Sequence, residues 1–188
     1  MSLILAGDLS LNSSGLVLID LDKGTPIHYE AITSGLDSLE RLQYNYNRFL
    51  NLLESYRDIK IVAFEGQNKQ MRFSYQAGSL ISLAENVGVW KLSLQQNISN
   101  IDLILEVPAQ DIKVFATGKG NAEKNDMIAA VNGNHIKSIR RDIPEHSVND
   151  VADAYHLAKL VRDIVLHNKE DLIKKYLVKD YRKEGNSV

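Results

Sequence analysis

Leu3-Ile4-Leu5-Ala6-Gly7-Asp8-Leu9-Ser10, followed by the run from Asn12 to Asp20, decides the fold. Leu3 to Ala6 is a continuous apolar run, the pattern of a strand covered on both faces. Asp8 ends it. Asn12-Ser13-Ser14-Gly15 carries turn chemistry, and Leu16-Val17-Leu18-Ile19 is a second apolar strand. A buried strand that delivers a carboxylate at its end, beside a tight hairpin, can hold that carboxylate still in a cleft. Asp is also poor in strands and common in turns, so this stretch alone favours an Asp that merely stops a strand.

Working outward, Asp20 to Thr25 reads as a hairpin loop and Pro26 to Ile32 as a third strand broken by Gly35. From Leu36 to Tyr56 the period changes: Leu39, Leu42, Tyr46, Phe49, Leu50 and Leu53 fall at helical spacing. Ile59 to Phe64 is a fourth strand ending at Glu65. The intervening helix makes a βαβ crossover, so strands one and four are expected to be parallel. A helix is expected from about Ser74 to Gln95, with Gly78 and Gly88 read as points of close packing. Asp102 to Val107 is a fifth strand halted by Pro108. Short helices over Ala109–Ala116 and Glu123–Val131, a loop over Asn132–His146 and a long helix over Val148–Leu166 follow. A second helical stretch over Lys169–Arg182 and a tail complete the chain.

This order implies an α/β fold with a five-stranded mixed sheet, three antiparallel strands and then two parallel, flanked by helices. Residues 1–168 read as one domain and 169–188 as a C-terminal helical extension and tail. The 188 residues suffice for one core. The absence of cysteine excludes disulfides, thiolate nucleophiles and cysteine metal sites, and accords with a reducing, cytoplasmic compartment. No signal-peptide pattern or membrane-length apolar run is present. A net charge of −2 leaves nucleic-acid contact to local patches or to metal ions that offset carboxylates.

Asp8 and Glu65 both end apolar strands, and parallel neighbours bring those ends to one edge, where open α/β sheets place their sites. In the helix after Val148 the apolar arc holds Val151, Ala154, Ala158, Val161 and Val165. The polar arc holds Asn149, His156, Lys159 and Asp163. Asp150 falls inside the apolar arc and Asp153 on its border. A carboxylate on a core-facing stripe needs a partner. Ser147-Val148-Asn149-Asp150 also reads as a variant capping box, which explains Asp150 but not Asp153. Four carboxylates without cysteine suit hard, oxygen-bound ions, Mg²⁺ or Mn²⁺. Two such ions about 4 Å apart are a standard device for phosphodiester hydrolysis. Between Gln110 and Asp142, Lys113, Lys119, Lys124, Lys137, Arg140 and Arg141 face four acidic residues, a modest basic patch. Gly118-Lys119-Gly120 lacks the full Walker pattern, so no nucleotide cofactor is expected, yet its backbone N–H groups suit a DNA phosphate. His146 lies near Asp150 in sequence.

Four elements resemble, in order and spacing, the RuvC-type Holliday-junction resolvases (crossover junction endodeoxyribonucleases): Asp8 through Gly15; Phe64-Glu65; Gly118-Lys119-Gly120 with Ala122-Glu123-Lys124; and Asp150-Val151-Ala152-Asp153-Ala154. The match runs from about Leu3 to Leu160. The resemblance implies a ribonuclease H-like fold, a Mg²⁺-dependent homodimer acting on branched DNA, and a metal-binding catalytic tetrad of Asp8, Glu65, Asp150 and Asp153. It implies DNA-serving roles for Lys113 and Lys124. The family's aromatic shortly after the Glu is here Asn68, which leaves Phe73 or Tyr75 to stack on junction bases, or simply to anchor the next helix. Two matched nicks require two-fold symmetry, and the helix from Ser74 to Gln95 is the expected dimer interface, through Gly78, Ser79, Ala84 and Gly88. A less selective nuclease of the same fold, or a junction-binding protein that does not cleave, are the alternatives.

Overall fold

A computed structural model describes residues 1–10, 13–36, 38–66, 77–96 and 100–180, with the backbone alone at 38, 77–83 and 180. Its strands are β1 (Leu3–Asp8), β2 (Ser13–Asp20), β3 (Pro26–Thr33), β4 (Ile59–Gly66), β5 (Leu103–Pro108) and β6 (Leu177–Asp180). Its helices are α1 (Ser38–Ser55), α2 (Ala77–Gln96), α3 (Ala109–Thr117), α4 (Lys124–Ala130), α5 (Gly133–Asp142), α6 (Val148–Leu166) and α7 (Glu170–Tyr176). The sheet order is β3-β2-β1-β4-β5-β6. β1 pairs antiparallel with β2 and parallel with β4, and β4 pairs parallel with β5. The three antiparallel and two parallel strands expected from the sequence are all present.

Alternation along the central strands divides the core into two layers. Leu3 and Leu5 of β1, Leu16 and Leu18 of β2, and Val62 and Phe64 of β4 pack with Phe49 of α1 and with Trp90 and Leu94 of α2. Ile4, Ala6, Val17, Ile19, Ile61 and Ala63 face the other way and pack under α6. Side chains two residues apart share a face, so Asp8 continues the Ile4–Ala6 row and Glu65 the Ile61–Ala63 row, both on the side that α6 covers. The register places them at one level, one step beyond the Gly7–Phe64 pair of the parallel ladder.

The structure corrects several expectations. The sheet has six strands among the described residues, not five. The stretch after Lys169 is helical only through Tyr176, and β6 then pairs antiparallel with β5. Lys175 Nζ and Tyr176 Oη, each 2.8 Å from Asp111 Oδ2, hold α7 to α3. Ser13, Ser14 and Gly15 are not turn residues but the start of β2. A Cβ on Gly15 would lie 2.2 Å from the carbonyl carbon and oxygen of Asp150, so the bare backbone here is what lets α6 rest on the strand. The supposed loop over Asn132–His146 contains α5, whose N-cap Asn132 accepts from Asn134 N and whose Ile139 is fully buried. His156 is not on a polar arc: α4 covers it, it is 4% exposed, and its Nε2 lies 2.9 Å from Met127 O. Leu39 is exposed rather than core, since α1 buries Asn45, Phe49, Leu52 and Leu53 instead. Gly88 meets no neighbour among the described residues, so close packing against them does not explain it. No helix among the described residues is long and apolar enough to cross a membrane.

Candidate active site

Three elements deliver the central carboxylates. β1 ends at Asp8, β4 brings Glu65 beside it, and the first turns of α6 lower Asp153 onto both. One carboxylate oxygen from each of Asp8, Glu65 and Asp153 lies within 4.8 Å of the other two, the spacing of groups that share a cation. Asp153 Oδ1 is buried without a hydrogen-bond partner, one of only two such side-chain atoms among the described residues. An all-oxygen donor set with an unpaired buried oxygen fits a hard divalent ion.

The protonation chemistry follows from crowding. Burial, and then the charge of Glu65, push the Asp8 carboxyl well above the usual range, while Lys124 pulls the other way. Burial and the neighbouring Asp153 raise Glu65 to about 7, against the pull of Lys113. Burial and Asp150 raise Asp153 to about 6, opposed by Lys113 and Lys124. A divalent ion would reverse this balance, favouring the ionised forms of all three.

Asp150 stands outside that trio. It is half-buried, and burial raises its carboxyl, but contacts from Ser13 and Asn149 favour its charged form. Asn149 Nδ2 donates to Asp150 Oδ1. The capping-box explanation for Asp150 fails, because Ser147 makes no capping hydrogen bond and its hydroxyl instead meets that of Ser13 at 3.0 Å. His146 is exposed, yet its charge bears on Asp150.

Lys113 of α3 and Lys124 at the start of α4 both act on the carboxylates, as the pKa balance shows. Lys119 is exposed on the turn between these helices. Gly118 has φ +77° and caps α3 with its N–H on Val114 O at 2.9 Å, so that N–H is not free for a phosphate. Lys119 N is engaged by Thr117 Oγ1 at 3.2 Å. Phe73 and Tyr75 lie outside the described residues.

No protein-family profile matches the chain. No curated protein matches it either. Solved structures do. Thermus thermophilus RuvC in complex with Holliday junction substrate superposes with a TM-score of 0.63 at 17% identity, over 84% of this chain and 90% of that one. The chain has the RuvC fold. A second structure of Thermus thermophilus RuvC agrees, with a TM-score of 0.63 at 17% identity over 86% and 96% of the two chains. The yeast mitochondrial Holliday junction resolvase Ydc2 superposes with a TM-score of 0.60 at 11% identity, over 93% of this chain and 84% of that one. The RuvC-type, ribonuclease H-like architecture expected from the sequence motifs is therefore the one observed, with β6 added at the sheet edge.

Ser10, Ser13, Asn149 and Asn86 surround the carboxylates or the turn beside them, and sequence reading missed all four. No local pattern flags them: Asn86 stands between Glu85 and Val87 like any polar helix residue, and its burial appears only once α1 and Ser10 pack against it.

Proposed function

We propose that this protein is a Mg²⁺-dependent endonuclease that resolves four-way DNA junctions by paired phosphodiester hydrolysis, working as a homodimer. The observation that carries the reading is the convergence of Asp8, Glu65 and Asp153, with an unpartnered buried oxygen, within electrostatic reach of Lys113 and Lys124. The relatives in fold include a resolvase bound to Holliday junction substrate, which supports branched DNA as the substrate class.

Asp8, Glu65 and Asp153 would hold one divalent ion. Asp150, beside them on α6, would help to hold a second, completing the tetrad. A pair of Mg²⁺ or Mn²⁺ ions supplies water activation and charge neutralisation for in-line phosphodiester cleavage. The chain itself does the positioning. β1 and β4 are packed on both faces, so their terminal carboxylates have little freedom to move. Lys113 and Lys124 add positive charge above a strongly acidic cluster and would draw the scissile phosphate toward it. Lys119, exposed between them in sequence, would contact a neighbouring phosphate through its side chain.

Pairing of the nicks requires two sites related by a two-fold axis. Ala84, Gly88 and Leu92 of α2 recur at four-residue spacing and are exposed, with Leu92 at 51%. Gly88 would allow a second backbone to approach closely, which supports α2 as the dimer interface. Phe73 or Tyr75 would stack on unpaired bases at the junction. In this reading residues 1–168 are the nuclease domain and 169–188 an extension, whose β6 adds a strand beside β5.

A gel assay on a synthetic four-way junction, with matched linear duplex as control, tests the proposal. Mg²⁺ should give symmetric nicks in the junction and few in the duplex, and a chelator should stop both. Equal cutting of junction and duplex would favour the less selective nuclease, and tight junction binding without cleavage would favour the non-cleaving binder.

A further inference from the structure

Asn86 sits in α2, on the far side of the sheet from α6, and is 1% exposed. Its Oδ1 accepts from Asn45 Nδ2 of α1 at 3.0 Å and from Trp90 Nε1 at 3.2 Å. Its Nδ2 donates to Ser10 O at 2.9 Å. Ser10 is two residues beyond Asp8, in the connection between β1 and β2.

That connection is tied down again from its other end. Ser14 Oγ, in a residue 1% exposed, accepts from Ser10 N at 3.3 Å and donates to Ser10 O at 3.2 Å. Ser10 Oγ accepts from Ser13 N at 3.2 Å and donates to Ser13 O. Ser13 Oγ meets Ser147 Oγ at 3.0 Å, at the foot of α6, and the Ser13 hydroxyl also bears on Asp150. A continuous series of hydrogen bonds thus runs from α1 and α2, through the turn after Asp8, to the start of the helix that carries Asp150 and Asp153.

We infer that Asn86 is a positioning residue for the carboxylate site, fixing the Ser10 turn and through it the relative placement of Asp8 and the first turn of α6. A buried amide whose polar atoms are all matched is worth more in geometry than in stability. It forces one placement of α2 against the turn, since any other leaves Asn45 Nδ2 and the Trp90 indole N–H without this acceptor in the core and leaves Ser10 O with Ser14 Oγ alone. Groups hydrogen-bonded directly to metal ligands commonly change metal affinity by about 10–100-fold when removed, and Asn86, one step further out through Ser10, belongs at the lower end of that range. The inference rests on the proposed metal-binding role of the carboxylates, but not on the DNA substrate.

Three variants separate positioning from simple packing. Asn86→Asp keeps oxygen acceptors for Asn45 and Trp90 and turns the donor to Ser10 O into a second oxygen. Trp90→Phe removes the indole N–H and trims the buried ring, so it perturbs packing on α2 while leaving the Asn86–Ser10 bond. Ser14→Ala loosens Ser10 from the β2 side without touching α2. Mn²⁺ affinity of the DNA-free full-length protein is measured by calorimetry at pH 8, with melting temperatures recorded alongside. Asn86→Asp should weaken Mn²⁺ binding about tenfold, Ser14→Ala should weaken it in the same direction, and Trp90→Phe should bind like wild type. Asn86→Asp binding within twofold of wild type would overturn the inference, as would an equal loss in Trp90→Phe. If Asn86→Asp does not fold, Ser14→Ala decides: unchanged Mn²⁺ affinity there refutes the inference. A wild-type protein that binds no Mn²⁺ would overturn the proposed function and this inference together, whereas wild-type binding that ignores Asn86 and Ser14 overturns this inference alone.

Discussion

Replacing Glu65 with Gln should stabilise the metal-free protein at alkaline pH and leave it unchanged in acid. Glu65 titrates near 4.5 in the unfolded chain and at about 7 in the folded one, chiefly because it is buried. Between those values the native state keeps a proton that the unfolded chain has released, so stability falls as pH rises. Below about pH 4 both states are protonated and the penalty vanishes; above about pH 7 it is complete. The full interval corresponds to about 3 kcal/mol at 1.36 kcal/mol per pH unit. Glu65 shares the site with Asp8 and Asp153, so the recoverable part is about 2–3 kcal/mol, or roughly 4–12 °C in melting temperature for a chain of this size. The assay is thermal melting of wild type and Glu65→Gln in chelator from pH 4 to 9. The two curves should coincide at the acid end and diverge through neutrality, with the variant the more stable. Saturating Mg²⁺ should then raise the wild-type melting temperature at pH 8, and do so weakly below pH 6, where protons compete for the same oxygens. It should do little for Glu65→Gln. Parallel curves for the two proteins across the whole range would refute the claim that these carboxylates are crowded and buried without a cation.

Other outcomes follow from the same geometry. Gly15→Ala places a methyl group against the Asp150 backbone and should cost at least about 2 kcal/mol in denaturant unfolding, with loss of divalent-ion binding; a change under about 0.5 kcal/mol would mean that α6 does not rest on Gly15. Lys113→Ala and Lys124→Ala should each lower the slope of log binding constant against log salt for junction DNA by about 1, with melting nearly unchanged. An unchanged slope in the double variant would remove both from the phosphate contacts. Phe73→Ala or Tyr75→Ala should weaken junction binding by about 1–3 kcal/mol per stacked base without lowering the melting temperature. Lost melting with normal cleavage per folded molecule would make the residue a core anchor instead.

The sequence carried the central sheet and the main helices because their signals are local. Leu3–Ala6 and Ile59–Phe64 are unbroken apolar runs, and the parity that puts Asp8 and Glu65 under α6 is a count of two along each strand. α6 was legible from its apolar residues, and Asp153 stood out against them. What was illegible depends on neighbours distant in the chain. Gly15 looks like a turn residue until α6 is laid over it. β6 is four residues long and becomes a strand only because β5 offers it an edge. α5 begins in Asn132-Gly133-Asn134, a turn composition by any local reading, and is held by the burial of Ile139. The polar arc assigned to His156 failed because α4 covers that side, which no periodicity within α6 can reveal. Asn86 reaches Ser10 across 76 residues of chain, and no spacing rule connects them.

Cleavage of a four-way junction by Asp8→Asn tests the central claim most directly. Asn keeps the shape of Asp8 at the end of β1 and removes the charge that would hold the metal beside Glu65 and Asp153. Incision is measured with Mg²⁺ at saturating protein, and junction binding in parallel without it. The account predicts binding within about threefold of wild type and paired incision at least about a hundredfold slower. Incision by Asp8→Asn within tenfold of wild type would contradict it.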